Sequence, residues 1–363
     1  MPFDLILVVG VTSLAITAIS LPVLIRLGHR HELLDRPGKH KRHKRPVPYL
    51  GGVALFFAVW LALLVCGLVF PEWSPGASSS LFYVFLGAMV ITLVGLADDL
   101  SPLSAHVKLA AQILVGLMLY AAGISVEFLT TPYGSVDVGA ASLLITVLWV
   151  VVMTNALNLI DGLDGLAGGV ALIAAITLLV IGRLLDSGWG VLFMPGLIGF
   201  LAGFLVYNRY PARVFLGDSG SMQLGYYFAV FSLLAPLKSF TASALYLPLL
   251  ALGVPILETA ASFLRRMLSG RNVMQADRRH LFHYLSLAGL SPRKVVLVFY
   301  GLGVVFSGFA LGMFLWNRVI VLAVLAVFMV VILVSFFILV TGLVARRRRN
   351  RRSANGTVEN DRT

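Results

Sequence analysis

An all-α fold that spans a membrane many times follows from three features of the sequence. Charges are too few for a water-facing surface, apolar runs are long, and basic residues keep to one side of the implied topology. Of 363 residues, 59% are hydrophobic and 12% charged, about half the ~25% charge content of a soluble domain. Mean hydropathy is +0.94. Most of the exterior must therefore face lipid. A transmembrane barrel would show short alternating segments, so the continuous runs select helices.

Runs of spanning length predict about eleven transmembrane helices, near 4–26, 51–70, 81–97, 107–123, 141–158, 166–186, 190–207, 221–236, 243–264, 294–314 and 318–344. The net charge is +12, from 28 Lys and Arg against 16 Asp and Glu. Eight basic residues lie from Arg26 to Arg45, two at Arg209 and Arg213, seven from Arg265 to Lys294 and seven from Arg346 to Arg362. With Lys108, all of these fall on one side of an eleven-span topology; Arg183, Lys238 and Arg318 fall on the other. This positive-inside pattern sets the N-terminus outside and the C-terminus in the cytoplasm. A basic rim beside anionic lipid accounts for the charge, so nucleic acid is not needed as a partner.

The first apolar run lacks a basic leader and reads as a permanent span. The single Cys66 excludes a disulfide framework. Residues 1–344 read as one integral-membrane domain, and 345–363 as a basic, disordered cytoplasmic tail. Alternation from Val126 to Val138 around Pro132-Tyr133-Gly134 predicts a small outer β-hairpin. No internal repeat stands out, which weighs against transporters built from inverted halves.

The acids carry the chemical argument. Asp98 and Asp99 end the third span, Asp161 and Asp164 follow the fifth, and Asp218 precedes the eighth. All five fall on the cytoplasmic face. Brought together, they would repel unless a cation sat among them, and a divalent metal with phosphate-bearing substrates meets that need. One such Asp alone would read as helix-end solvation; three segments together read as a site. Asn155, Asn158, Asp161 and Asp164 recur every third residue, with Gly162, Gly165, Gly168 and Gly169 allowing close approach. Such a polar ladder suits a nucleotide and its metal. Gly217-Asp218-Ser219-Gly220-Ser221 offers amides at a helix start beside a carboxylate, although ordinary caps look the same.

Other residues are more ambiguous. His280 and His283, with Arg279 beside them, suit a diphosphate or a base, or form a solvated basic loop; zinc lacks further ligands nearby. Lys108 reads as a phosphate partner or a topological anchor. Gly51 and Gly52, after Pro46-Val-Pro48-Tyr-Leu, allow close packing or entry of a lipid phosphate. Glu258 is costly in lipid and must pair, in a structural or a catalytic role.

Together these motifs resemble the polyprenyl-phosphate N-acetylhexosamine-1-phosphate transferases (glycosyltransferase family 4 type), most closely the bacterial undecaprenyl-phosphate N-acetylglucosaminyl-1-phosphate transferase branch. The matching pieces are Pro48 to Gly52, Leu96 to Asp99, Asn155 to Gly169, Phe215 to Ser221 and Asp277 to His283. The resemblance implies transfer of a sugar-1-phosphate, with GlcNAc the expected sugar, from a UDP-sugar to undecaprenyl phosphate, with release of UMP. It implies Mg²⁺, with Mn²⁺ able to substitute, and a cytoplasmic active site in the bacterial inner membrane. It also implies roles. Asp98, Asp99 and Asp161 are catalytic, and Asp218 with Asp99 holds metal. Asn155, Asn158, Asp164, Arg279, His280 and His283 bind the donor. Lys108, Gly51 and Gly52 meet the acceptor. One departure is plain: Phe282 stands where the family commonly has a histidine. Direct attack by the acceptor phosphate is the expected route. Another UDP-amino sugar or UDP-MurNAc-pentapeptide stays open as donor, an ion-coupled transporter as the reading of another class, and a homodimer as the assembly to test.

Overall fold

Among the described residues, each apolar run predicted to be helical contains helix. The computed structural model describes residues 2–37, 45–71, 79–131, 134–184, 189–234, 246–268 and 280–360. The helices are α1 (Phe3–Arg30), α2 (Gly51–Val69), α3 (Ser79–Leu100), α4 (Ala105–Ala121), α5 (Ser142–Ile160), α6 (Leu166–Leu184), α7 (Phe193–Asn208), α8 (Gly217–Leu234), α9 (Tyr246–Ala251), α10 (Gly253–Leu268), α11 (Leu281–Leu287), α12 (Pro292–Leu315) and α13 (Arg318–Asn360). Between them lie strands β1 (Leu34–Asp35), β2 (Val47–Pro48), β3 (Phe128–Thr131) and β4 (Gly134–Asp137).

Among the described residues, eight helices are long and apolar enough to cross a membrane by length and composition: α1, α2, α3, α5, α6, α7, α12 and α13. The chain is an all-α polytopic membrane protein. The other three predicted spans differ for physical reasons. α4 has only 17 residues. α8 opens on Gly-Asp-Ser-Gly-Ser and carries Gln223, which lowers its hydropathy. The ninth run breaks between α9 and α10, because Pro255 has no N–H to offer the Ala251 carbonyl one turn back.

α8 occupies the centre, against α2, α3 and α5. Its residues Ser219 to Ser232 are all buried, so a helix with a polar first turn is accepted because protein surrounds it. The periphery is the reverse. On α13, Val319, Ile320, Val327 and Phe337 are 71%, 62%, 65% and 69% exposed, a surface matched to hydrocarbon and costly in water.

Two small sheets finish the fold. β1 pairs antiparallel with β2 through Leu34↔Pro48 and Asp35↔Val47. The expected hairpin is present as β3 and β4, in register from Phe128↔Asp137 to Thr131↔Gly134. Its turn residues Pro132 and Tyr133 lie outside the described residues. At the base of the hairpin the Val126 amide donates to Thr146 Oγ1 of α5 at 3.0 Å. The backbone of α13 is helical to Asn360. Its Arg run has good helix formers, and extending an existing helix avoids the nucleation cost.

Candidate active site

The site gathers where α3 ends and α8 begins. A helix start leaves amides without partners, and those of α8 are satisfied from another helix. Asp99 Oδ1 accepts the Asp218 amide at 2.7 Å, and Asp99 Oδ2 accepts the Ser219 amide at 3.1 Å and Ser219 Oγ at 2.8 Å. Gly217, at φ +73°, makes the turn that brings these donors round; a side chain there would run into the Asp99 carboxylate. Asp99, expected to hold metal, caps α8 with both oxygens.

Asp98 faces the other way. Its Oδ1 accepts the Leu103 amide at 2.7 Å, and its Oδ2 accepts Lys108 Nζ at 3.0 Å. Lys108 stands one turn into α4, behind the Ser104 cap. The same ammonium donates to Asp218 Oδ2 at 2.8 Å. Two carboxylates from different helices therefore share one cation.

The end of α5 supplies the third wall. Asn158 Nδ2 donates to Ser221 Oγ at 3.0 Å, tying the ladder to α8. Asn155, expected to bind nucleotide, is turned inward: its Nδ2 donates to Gln112 Oε1 at 2.7 Å and to the Val151 carbonyl at 2.8 Å. Both hydrogens of that amide are spent within the bundle. Asp161, just past the helix, is half-buried. Burial, then the carboxylates of Asp218, Asp99 and Asp164, push its carboxyl up to about 8. The field there is strongly negative. Asp164 Oδ2 accepts the Ala212 amide at 2.9 Å, anchoring the loop after α7. Gly165 (φ +80°) is held by Asn208 Oδ1 on its amide at 2.9 Å and by the Tyr300 hydroxyl on its carbonyl at 2.7 Å.

The histidine segment closes this turn. Phe282 is buried, and its ring packs on Gly162, where any Cβ would strike it. His280 stacks on Phe282 at 5.4 Å and 10°, and His283 lies 4.2 Å from the same ring. Glu258 Oε1, on α10, lies 3.0 Å from His280 Nδ1 and accepts the Leu281 amide at 2.9 Å. Arg279 and the basic loop of residues 269–279 lie outside the described residues.

Gly51 and Gly52, expected to meet the acceptor substrate, have their amides engaged within the fold. Those N–H groups donate to the carbonyls of Phe215 and Leu216, each at 3.0 Å. Both glycines are buried against the start of α8, where a Cβ on Gly52 would collide with Ser219 and Gly220. Tyr49, one residue before α2's cap, was not singled out in the sequence. Burial and the carboxylates of Asp99 and Asp35 push its phenol up, so it borders the acidic pocket. Gln112, Asn208 and Tyr300 were also missed; each is a lone polar group in or at the end of an apolar run, with no spacing to mark it.

A hard divalent cation fits this donor set. Asp98 and Asp218 present carboxylate oxygens that already flank a cationic group. Among the described residues, no three His, Cys, Asp or Glu side chains converge into a complete cage. That suits Mg²⁺, which usually takes one or two carboxylates and completes its shell with water and substrate phosphate.

Known proteins are similar to this chain in sequence. A family profile described as glycosyl transferase family 4 matches residues 81–235, which include Asp98, Asp99, Lys108, Asn155 to Asp164 and Asp218. A Bacillus subtilis (strain 168) protein named "Probable undecaprenyl-phosphate N-acetylglucosaminyl 1-phosphate transferase" is 35% identical over 344 residues, 93% of each chain. The decaprenyl-phosphate N-acetylglucosaminephosphotransferase of Mycobacterium tuberculosis (strain ATCC 25618 / H37Rv) is 33% identical over 86% of this chain and 84% of its own. The phospho-N-acetylmuramoyl-pentapeptide-transferase of Moorella thermoacetica (strain ATCC 39073 / JCM 9320) is 37% identical over 75% of this chain and 86% of its own.

Proposed function

The chain belongs to glycosyl transferase family 4, among the polyprenyl-phosphate N-acetylhexosamine-1-phosphate transferases, and from that membership we propose that it moves GlcNAc-1-phosphate from UDP-GlcNAc to undecaprenyl phosphate. The products are undecaprenyl-diphospho-GlcNAc and UMP, an opening step in building a cell-envelope polysaccharide. The proposed setting is the cytoplasmic face of a bacterial inner membrane, with eleven crossings, the N-terminus outside and the C-terminus inside. The observation that carries the reading is the shared Lys108 ammonium between Asp98 and Asp218, beside the acidic turn at Asp161.

The chemistry joins two anions. An acceptor phosphate oxygen attacks the β-phosphorus of the donor, a P–O bond forms, and the bond to UMP breaks. Asp218 would hold Mg²⁺ (or Mn²⁺), which would supply charge stabilisation to the donor diphosphate. Lys108 is placed to neutralise phosphate charge once released from a carboxylate. Asp98 orients the acceptor. A phosphate monoester has a second pKa of about 6, so the nucleophile is largely formed at neutral pH and little base strength is required. Asp99 fixes the backbone that presents Asp218. The lipid acceptor explains the number of spans, because its tail stays in hydrocarbon while its phosphate meets a soluble donor. The transporter reading draws no support from acids gathered at helix ends or from relatives named as transferases.

The test is UMP release by the purified chain with undecaprenyl phosphate, Mg²⁺ and a panel of UDP-sugars. UDP-GlcNAc is expected to be the preferred donor. Preference for UDP-MurNAc-pentapeptide would move the chain toward the branch of the Moorella relative, and no release from any donor would reject the reading.

A further inference from the structure

We infer that Glu258 is a positioning residue of the donor site that acts through His280. The inference rests on the donor-site role proposed for His280. Glu258 is only 5% exposed, and a carboxylate so placed is costly unless its oxygens are engaged. Oε1 meets His280 Nδ1 at 3.0 Å and the Leu281 amide at 2.9 Å, with an Arg265 guanidinium nitrogen 3.9 Å away.

One oxygen thereby fixes two things. The Leu281 amide sets where the chain turns into α11, a duty the His280 side chain does not perform for itself. The contact at Nδ1 sets the imidazole, since only a protonated Nδ1 can donate to a carboxylate. Nε2 is then the nitrogen left to meet a ligand. The other face of the ring is held by Phe282, stacked at 5.4 Å and 10°, and Phe282 rests on Gly162 beside Asp161. The imidazole is held at its Nδ1 edge by a carboxylate and on one face by a phenyl ring, next to the acidic turn. A ring so held presents Nε2 in one direction, and the inference assigns it to the phosphates of a nucleoside diphosphate. A Glu258 that merely braced α10 against α11 would need the Leu281 contact but not the one to Nδ1.

The experiment uses the full chain in lipid nanodiscs with ¹⁵N-labelled imidazoles, the His280 signals being assigned by their loss in His280→Asn. The wild type is expected to show His280 with hydrogen on Nδ1, and UDP is expected to move the Nε2 signal. Glu258→Ala is expected to shift the ring toward the Nε2–H tautomer that imidazole favours in water. It should also raise KM for the UDP-sugar about 10–100-fold, the range typical of partners that orient a ligating histidine, with a smaller change in kcat. Glu258→Ala combined with His280→Ala should be no worse than His280→Ala alone. Should Glu258→Ala not fold, Glu258→Gln keeps the shape and one acceptor and is expected to show the same shift to a lesser degree. An unchanged tautomer, additive losses in the double variant, or Nε2 signals indifferent to UDP would each overturn the inference. The tautomer and UDP readouts need no turnover, so they decide it even if no UDP-sugar proves to be a substrate.

Discussion

Lys108 and Asp218 form an ion pair across the floor of the site, with Nζ 2.8 Å from Oδ2, while the same ammonium holds Asp98 at 3.0 Å. The lysine thus competes for carboxylates that a divalent cation would also use. Its removal separates two effects that are otherwise entangled, metal affinity and phosphate neutralisation.

Lys108→Gln is expected to bind Mn²⁺ more tightly than the wild type in the absence of substrate, as read by electron paramagnetic resonance. UMP release should fall about 10²–10³-fold, the usual cost of losing one group that stabilises transition-state charge. Weaker Mn²⁺ binding would show that the ammonium supports the cation site instead of competing for it.

Asp99 and Asp218 should separate by the kind of damage they cause. Asp99→Ala leaves the first amides of α8 uncapped and should cost about 0.5–2 kcal/mol of stability. Asp218→Asn should melt close to the wild type while losing Mn²⁺ binding and turnover together. If Asp99→Ala melts normally but loses Mn²⁺, Asp99 is a ligand and the cap is incidental.

Close backbone packing gives a third prediction. A Cβ at Gly52 or Gly95 meets backbone atoms of Ser219, Gly220 or Asp218, none of which can rotate away. Either alanine should cost about 1–3 kcal/mol and depress turnover by displacing Asp218. Gly301→Ala, which meets open space, is the control and should leave melting temperature and UMP release unchanged.

The acidic turn predicts a pH dependence. Asp161 titrates at about 8 in the fold against an ordinary 3.8, so the native state holds a proton that the unfolded chain has lost between those values. Its contribution to metal-free stability is full below about pH 4 and is lost as pH rises through about 8. The proton also opposes a cation. The Mg²⁺ concentration for half-maximal activity should therefore fall from pH 6.5 to pH 8.5, and Asp161→Asn should flatten that dependence. A Mg²⁺ requirement that does not vary with pH would remove Asp161 from the metal's surroundings.

Much of this architecture was legible in the sequence because lipid imposes simple rules. Apolar runs marked the long helices, though not the short α11, and the acids at the helix ends marked the candidate site. Partner choice was not legible. Asp98 and Asp99 are chemically identical neighbours, yet one meets Lys108 and the other caps α8; the difference lies in which way each points from the end of α3. Asn155 and Asn158 share a ladder, but only Asn158 reaches α8. Glu258 and His280 pair across an intervening loop that no local pattern spans. The break at Leu252 was foreseeable from Pro255, whereas the value of Tyr300 to Gly165 depends on a helix late in the chain.

Phe282 gives the substitution in the histidine motif a concrete meaning. Its ring fills the gap above Gly162 and contacts the flanking imidazoles on either side. A hydrocarbon disc of fixed thickness serves there as a spacer, and protonation would add nothing. The acidic turn and the histidine segment are thereby kept in register, so trimming that disc to a smaller side chain should loosen both at once.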